Sequence, residues 1–140
     1  MAEQLEVTAT WRGRWATDVA VRGHELRVDE PPGAGGEDTG PMPTELFCAA
    51  LASCFCLAVA YAGRRARVPT PELTVVVRAR RAGQELRYER FEVETEAAVE
   101  PPVLAWLVDE ARSLCWVSNT LAAGVALEYG HTSRDARFPK

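Results

Sequence analysis

Pro43-Thr-Glu-Leu-Phe-Cys-Ala-Ala-Leu-Ala-Ser-Cys-Phe-Cys-Leu-Ala-Val-Ala-Tyr-Ala-Gly63 decides the fold. Wound at about 3.6 residues per turn, its apolar residues leave no polar face: Leu46, Phe47, Ala49, Ala50, Leu51, Phe55, Leu57 and Val59 surround the axis. Prolines 41 and 43 block an earlier start, so the helix is predicted to begin at Thr44. Thr44 is its cap, and Glu45 suits the positive end of the helix dipole. Pro69 and Pro71 mark its end region. The run is of borderline length for a bilayer span. It is rich in alanine and cysteine rather than leucine and isoleucine, and it ends in Gly63-Arg-Arg, so it reads as a buried core helix. A helix without a polar face must be covered on every side. One small sheet cannot do that, and the pattern predicts a second subunit against it.

Outward from this helix the periodicity changes. On its N-terminal side Leu5 to Trp11 alternates, with Leu5, Val7, Ala9 and Trp11 on one face, as a half-buried strand does. Asp18–Arg22 and His24–Val28 read as two short strands turning at Gly23, and Pro31–Pro43 is a loop of prolines and glycines. On the C-terminal side, Glu72–Arg81 and Leu86–Ala97 read as strands joined by a turn at Ala82-Gly-Gln84, with Phe91 and Val93 inward. Pro101-Pro102 opens a second helix, whose stripe runs through Val103, Leu104, Leu107, Val108, Ala111 and Leu114. Ser118–Ala123 continues as helix, directly or after a break, and Gly124 stops it. Val125–Tyr129 reads as a last strand and 131–140 as a polar tail. The order βββ-α-ββ-αα-β, with a long buried central helix, is α+β within a single domain over 1–140.

With 140 residues, 47% hydrophobic and 26% charged, the chain has ordinary globular composition. A net charge of −4 gives no electrostatic footprint for nucleic acid or an anionic membrane. The basic clusters Arg64–Arg67 and Arg78–Arg81 are balanced by acidic residues in Glu85–Glu100 and read as solvated faces. Met1-Ala-Glu-Gln-Leu-Glu lacks a basic n-region and apolar h-region, so the expected location is cytoplasmic.

In a reducing compartment, cysteines are more often redox-active or metal-binding than structural staples. Two of the four, Cys54 and Cys115, lie within helical stretches far apart in the chain. Each has a plain alternative as a small core residue. If the second helix breaks near Leu114, Cys115 starts the next helical segment, where amide dipoles favour a thiolate. If it does not break, Cys115 is one more position on the apolar stripe. Cys48 and Cys56 share no helix face with Cys54 and read as bystanders. No paired C-x-x-C exists, and His24 and His131 fall in a strand and a tail, so no metal and no cofactor are expected. Phe47, Phe55, Tyr61, Trp106 and Trp116 are either core or the lining of an apolar funnel.

Three stretches, taken together, resemble the OsmC/Ohr family, the osmotically inducible and organic hydroperoxide resistance proteins. They are Val28-Asp-Glu-Pro31 with Gly35-Gly36 and Gly40-Pro41; Pro43-Thr-Glu-Leu-Phe with Ala49-Ala-Leu-Ala-Ser-Cys54; and Cys115 with Val117-Ser-Asn-Thr-Leu121. The resemblance implies the OsmC-like fold and an intertwined homodimer with active sites at the subunit interface. It also implies reduction of organic hydroperoxides, with Cys54 as peroxidatic cysteine, Cys115 resolving its sulfenic acid as a disulfide, and an external dithiol as reductant. One position departs. Where well-characterised relatives carry a glutamate that pairs with the thiolate-holding arginine, this chain has Thr44, and the acid stands one step later at Glu45. In this the chain more closely resembles the general OsmC-like branch.

Burial pushes a thiol away from ionisation, so a nucleophilic Cys54 calls for a cation. Arg14 is the candidate, with Arg12 and Arg22 as alternatives. Glu45 lies nine positions before Cys54, roughly 13 Å along one helix, and can act on a thiol only across a dimer. Its other reading is a helix-start carboxylate. The first functional reading is a thiol-dependent organic hydroperoxide reductase. The second, motivated by Thr44, is a dimeric binding or stress-associated protein without efficient turnover.

Overall fold

Residues 3–134 are described by the computed structural model. The central helix, α1 (Pro43–Ala66), begins one residue earlier than the sequence predicts. Pro43 occupies the first helical position, where its missing N–H would have had no partner, and Met42 rather than Thr44 is the N-cap. The Glu45 carboxylate closes this end by accepting the Met42 amide at 2.9 Å. At the other end Arg67 adopts a left-handed conformation (φ 58°), and the Val68 amide returns to the Gly63 carbonyl at 2.8 Å. This backbone cap ends the helix before the prolines are reached.

Five strands precede or follow α1: β1 (Thr8–Trp11), β2 (Thr17–Val21), β3 (His24–Val28), β4 (Thr74–Arg81) and β5 (Tyr88–Glu96). β1-β2-β3 form one antiparallel sheet and β4-β5 a separate hairpin. Helices α2 (Pro101–Leu114) and α3 (Trp116–Ala123) complete the order. α1 packs against β4 on one side and against α2 and α3 on the other. The core is Leu51, Phe55, Ala58, Val59 and Ala62 of α1 with Leu107 and Ala111 of α2 and Cys115. Val75, Val77 and Phe91 cover it from the hairpin. On the hairpin's outer face the basic and acidic clusters meet across the strands, Arg78 with Glu94 at 2.7 Å and Arg80 with Glu92 at 3.0 Å. By length and composition α1 is long and apolar enough to cross a bilayer, yet it is the centre of this α+β core.

Two strand predictions are corrected. Val125–Tyr129 forms no strand within the chain, and Val125, Leu127 and Tyr129 are exposed, because the segment lies along no edge of either sheet. Leu5–Val7 lies outside β1, and β1 is exposed along its length rather than half-buried, because no layer of this chain covers that face. Residues 131–134 of the expected tail are irregular and exposed. The remainder, 135–140, lies outside the described residues.

The loop between β3 and α1 is closely built onto its neighbours. A Cβ at Gly36 would run into the Glu30 carbonyl, and one at Gly40 into that of Arg27, so only glycine lets these backbones approach. Asp29, 2% exposed, organises the loop with bonds from the amides of Glu30, Glu37 and Thr39 and the Thr39 hydroxyl.

Candidate functional site

Cys54 shares a face of α1 with Leu51 and Ala58, half-buried against the core. Cys115 stands where α2 ends. Its extended backbone (φ −90°, ψ 109°) breaks the helical run, leaving it the C-cap of α2 and the N-cap of α3. The junction is tied by Asn119, whose amide donates to the Cys115 carbonyl at 3.0 Å and whose side chain donates to the Ser113 carbonyl at 3.1 Å. Of the two arrangements left open by the sequence, the structure has the break.

The fold brings the two cysteines together. Cys115 is fully buried, and Cys54 packs against the core cluster to which it belongs. The Ser118 amide donates to Cys115 Sγ at 3.5 Å. The Ser118 hydroxyl donates to the Cys115 carbonyl at 3.3 Å. Burial pushes the Cys115 thiol up. Bonds from the Ser118 hydroxyl and amide, the Cys54 thiol and the Val117 amide outweigh it and hold the thiol below its ordinary value. All four cysteines are free thiols.

The other candidates stand elsewhere. Arg14, in the β1–β2 turn with φ 47°, is exposed, paired with Glu37 at 2.7 Å and bonded to the Gly35 carbonyl at 3.0 Å. Arg12 and Arg27 share the Asp18 carboxylate at 2.7 and 2.6 Å. Arg22 is exposed in the β2–β3 turn. Among the described residues no arginine hydrogen-bonds either thiol of the pair. Glu45 caps α1 and, with Thr44, Cys48 and Tyr88, lines a cleft at the start of that helix. Cys56 is half-buried on α1.

The aromatic residues do not form one funnel within the chain. Phe55 is core, Phe47 stacks on Phe91 of β5 at 5.5 Å, and Tyr61 lies beneath Arg65. Trp106 and Trp116 line separate clefts on either side of Leu114. Among the described residues no group of three or more histidine, cysteine or carboxylate side chains has metal-binding geometry. Two residues of consequence escaped the sequence reading: Ser118, visible as the third residue after an N-cap only once the break is known, and Asp29, whose burial depends on the loop around it.

The sequence profile of the family described as OsmC-like protein matches residues 35–130. No curated protein matches the chain. Solved structures do. An OsmC-like protein from Mycoplasma pneumoniae is 15% identical with a TM-score of 0.75, covering 87% of this chain and 89% of its own. An organic hydroperoxide resistance protein from Elizabethkingia anophelis is 28% identical with a TM-score of 0.63, covering 85% and 88%. An organic hydroperoxide resistance protein from Legionella pneumophila is 18% identical with a TM-score of 0.66, covering 86% and 90%.

Proposed function

The chain belongs to the OsmC-like protein family, and on that premise we propose that it is a thiol-dependent peroxidase reducing organic hydroperoxides to alcohols. The meeting of Cys54 and Cys115 carries this reading: residues distant in sequence are packed into one core, Cys54 from α1 and Cys115 from the α2–α3 junction. A disulfide between them needs Cα atoms within about 7 Å, which is the geometry this reading requires of the pair. The likeness to the hydroperoxide resistance protein of Elizabethkingia anophelis supports the substrate class.

In this reading the Cys54 sulfur attacks the distal oxygen of the hydroperoxide, an alcohol leaves, and Cys54 becomes a sulfenic acid. Cys115 condenses with it as a disulfide, and an external dithiol restores both thiols. No metal or organic cofactor takes part. Arg14 stabilises the negative charge that develops on oxygen, delivered from the partner of a homodimer, since β1–β3 has little packing against the helices of its own chain. Glu45 has a positioning role, closing the helix that presents Cys54. A pair that must be re-reduced each turnover works in a reducing compartment, and the cytoplasm is the proposed location.

Turnover of tert-butyl hydroperoxide with a dithiol reductant, compared between wild type and Cys54→Ser, tests the reading. Mass spectrometry after one equivalent of peroxide complements it. A Cys54–Cys115 disulfide and loss of turnover in the variant are expected. Equal, near-background rates in both proteins would instead identify a binding protein on the same fold.

A further inference from the structure

Helix α2 has local reason to run on through Cys115. Ala111, Leu114 and Cys115 keep its apolar stripe, and no proline or glycine follows before Gly124. It stops instead, with an extended backbone at Cys115 before α3 begins at Trp116. Such a break leaves the last carbonyls of α2 without partners in their own helix. Asn119 repairs it. Its side-chain amide donates to the Ser113 carbonyl at 3.1 Å, six residues back, and its backbone amide closes the first turn of α3 on the Cys115 carbonyl at 3.0 Å. One residue thus fastens the end of α2 to the start of α3, with Cys115 between the two bonds. The bonds of Ser118, by contrast, run to Cys115 alone.

The cap at this break is a poor one. Oxygen side chains such as those of serine and aspartate make the favoured N-caps, yet α3 is capped by a cysteine whose sulfur takes the Ser118 amide at 3.5 Å. Sulfur is a weak acceptor, so the cap does little to hold the break and the fastening falls to Asn119. The break also matters to where the sulfur lies. On an uninterrupted helix the Cα–Cβ bond of residue 115 would tilt toward the N-terminus of α2, and the extended backbone releases it from that tilt. Cys115 is then wholly buried in the cluster against which Cys54 packs, whereas Asn119 is exposed, its side chain bonded to Ser113.

Resting on the peroxidase reading, we propose that Asn119 is a positioning residue for the resolving step alone: by bridging the α2–α3 break it holds Cys115 where its sulfur can reach oxidised Cys54. In that step the Cys115 sulfur attacks the sulfenic sulfur of Cys54. The S–S bond forms, the S–O bond breaks, and the departing hydroxide leaves as water with the Cys115 proton. The hydroperoxide has already taken the two electrons in oxidising Cys54, so no further oxidant enters. That earlier oxidation takes place on α1, to which Asn119 makes no hydrogen bond.

The test takes the full chain in the Cys48→Ser/Cys56→Ser background, so that only the pair reacts. After one equivalent of tert-butyl hydroperoxide, Cys54 sulfenic acid is trapped with dimedone and the Cys54–Cys115 disulfide is followed by quenched-flow mass spectrometry. Asn119→Ala removes the bridge. Asn119→Asp keeps its size and suits the start of α3, where a carboxylate is favoured, but has no donor for Ser113. Cys54 oxidation should keep the parental rate in both variants. Disulfide formation should slow at least about tenfold, as a small displacement of a reacting group does. Sulfenic acid should then accumulate, and excess peroxide should carry it on to sulfinic acid. Parental disulfide formation in Asn119→Asp overturns the proposal. Equal slowing of both steps does so too, since it marks a general loss of structure. A parent protein whose Cys54 is never oxidised rejects the peroxidase reading separately. Disulfide closure driven by diamide, which needs no peroxide, then decides on Asn119: slower closure in Asn119→Asp upholds its hold on Cys115, and parental closure refutes it.

Discussion

A single buried carboxylate, Asp29, governs the loop that leads into α1. Its Oδ2 accepts the Thr39 hydroxyl at 2.7 Å and the amides of Thr39 and Glu37 at 3.1 and 3.3 Å, while Oδ1 accepts the Glu30 amide at 2.8 Å. The Thr39 hydroxyl bond is the largest influence. With the three amides it overcomes the opposing effect of burial and lowers the Asp29 carboxyl to about 2. A folded-state value depressed below the unfolded one, about 3.9, means that the ionised form favours folding. That stabilisation is complete above about pH 4 and disappears as pH falls through about 2. Melting temperature recorded against pH should therefore show an acid limb that Asp29→Asn flattens. The variant should also melt lower at neutral pH, because its amide NH2 would face donors. An unchanged acid limb in Asp29→Asn would refute the assignment. The same loop carries Glu37, the partner of Arg14, so loosening it should reach the peroxide chemistry as well.

Among the elements, α1 and α2 together supply most of the buried core. Leu107 is fully buried against α1, close to Gly63, where an added Cβ would stand 2.8 Å from Thr70 and 3.8 Å from the Leu107 side chain. Leu107→Ala should destabilise the protein by about 2–5 kcal/mol in urea unfolding, as deletion of a buried leucine side chain does. A loss below about 1 kcal/mol would mean that the two helices collapse into the space. The rhythm that placed Leu107 inward was readable from Val103 to Leu114, since a 3.6-residue period survives any packing partner. The break after Leu114 was not, because Ala111, Leu114 and Cys115 keep to the apolar stripe across it. What interrupts the helix is backbone and side-chain bonding by Ser118 and Asn119, which leaves no trace in periodicity.

For the molecule as a whole, the unfinished surfaces say most. Leu57 on α1 is 71% exposed, Trp11 and Trp116 are also open, and the β1–β3 sheet stands clear of the helices. Apolar area on this scale marks an interface. Sedimentation should find wild type at the dimer mass. Leu57→Arg should shift it toward monomer and lower peroxidase turnover with it, because a charge placed in an apolar contact has no partner. A fully active wild-type monomer would sink the dimeric reading. The same incompleteness explains the two strand corrections. Alternation in Leu5–Trp11 and Val125–Tyr129 was legible, but a strand needs a partner and its burial a covering layer: β1 has β2 beside it yet lies exposed, and Val125–Tyr129 is both unpaired and exposed.

Local chemistry was therefore open to reading from the amino acids: the all-apolar helix, the β4–β5 pair, the α2 stripe, the two cysteines worth watching and the family they resemble. Each depends on short-range periodicity or residue type, which the chain carries wherever it goes. The packing of Cys54 and Cys115 into one core, the place of Cys115 at the N-cap of α3, and the pairing of Arg14 with Glu37 came only with folding. Those are distances between residues remote in sequence, and they arise when α1 is packed against the junction of two helices.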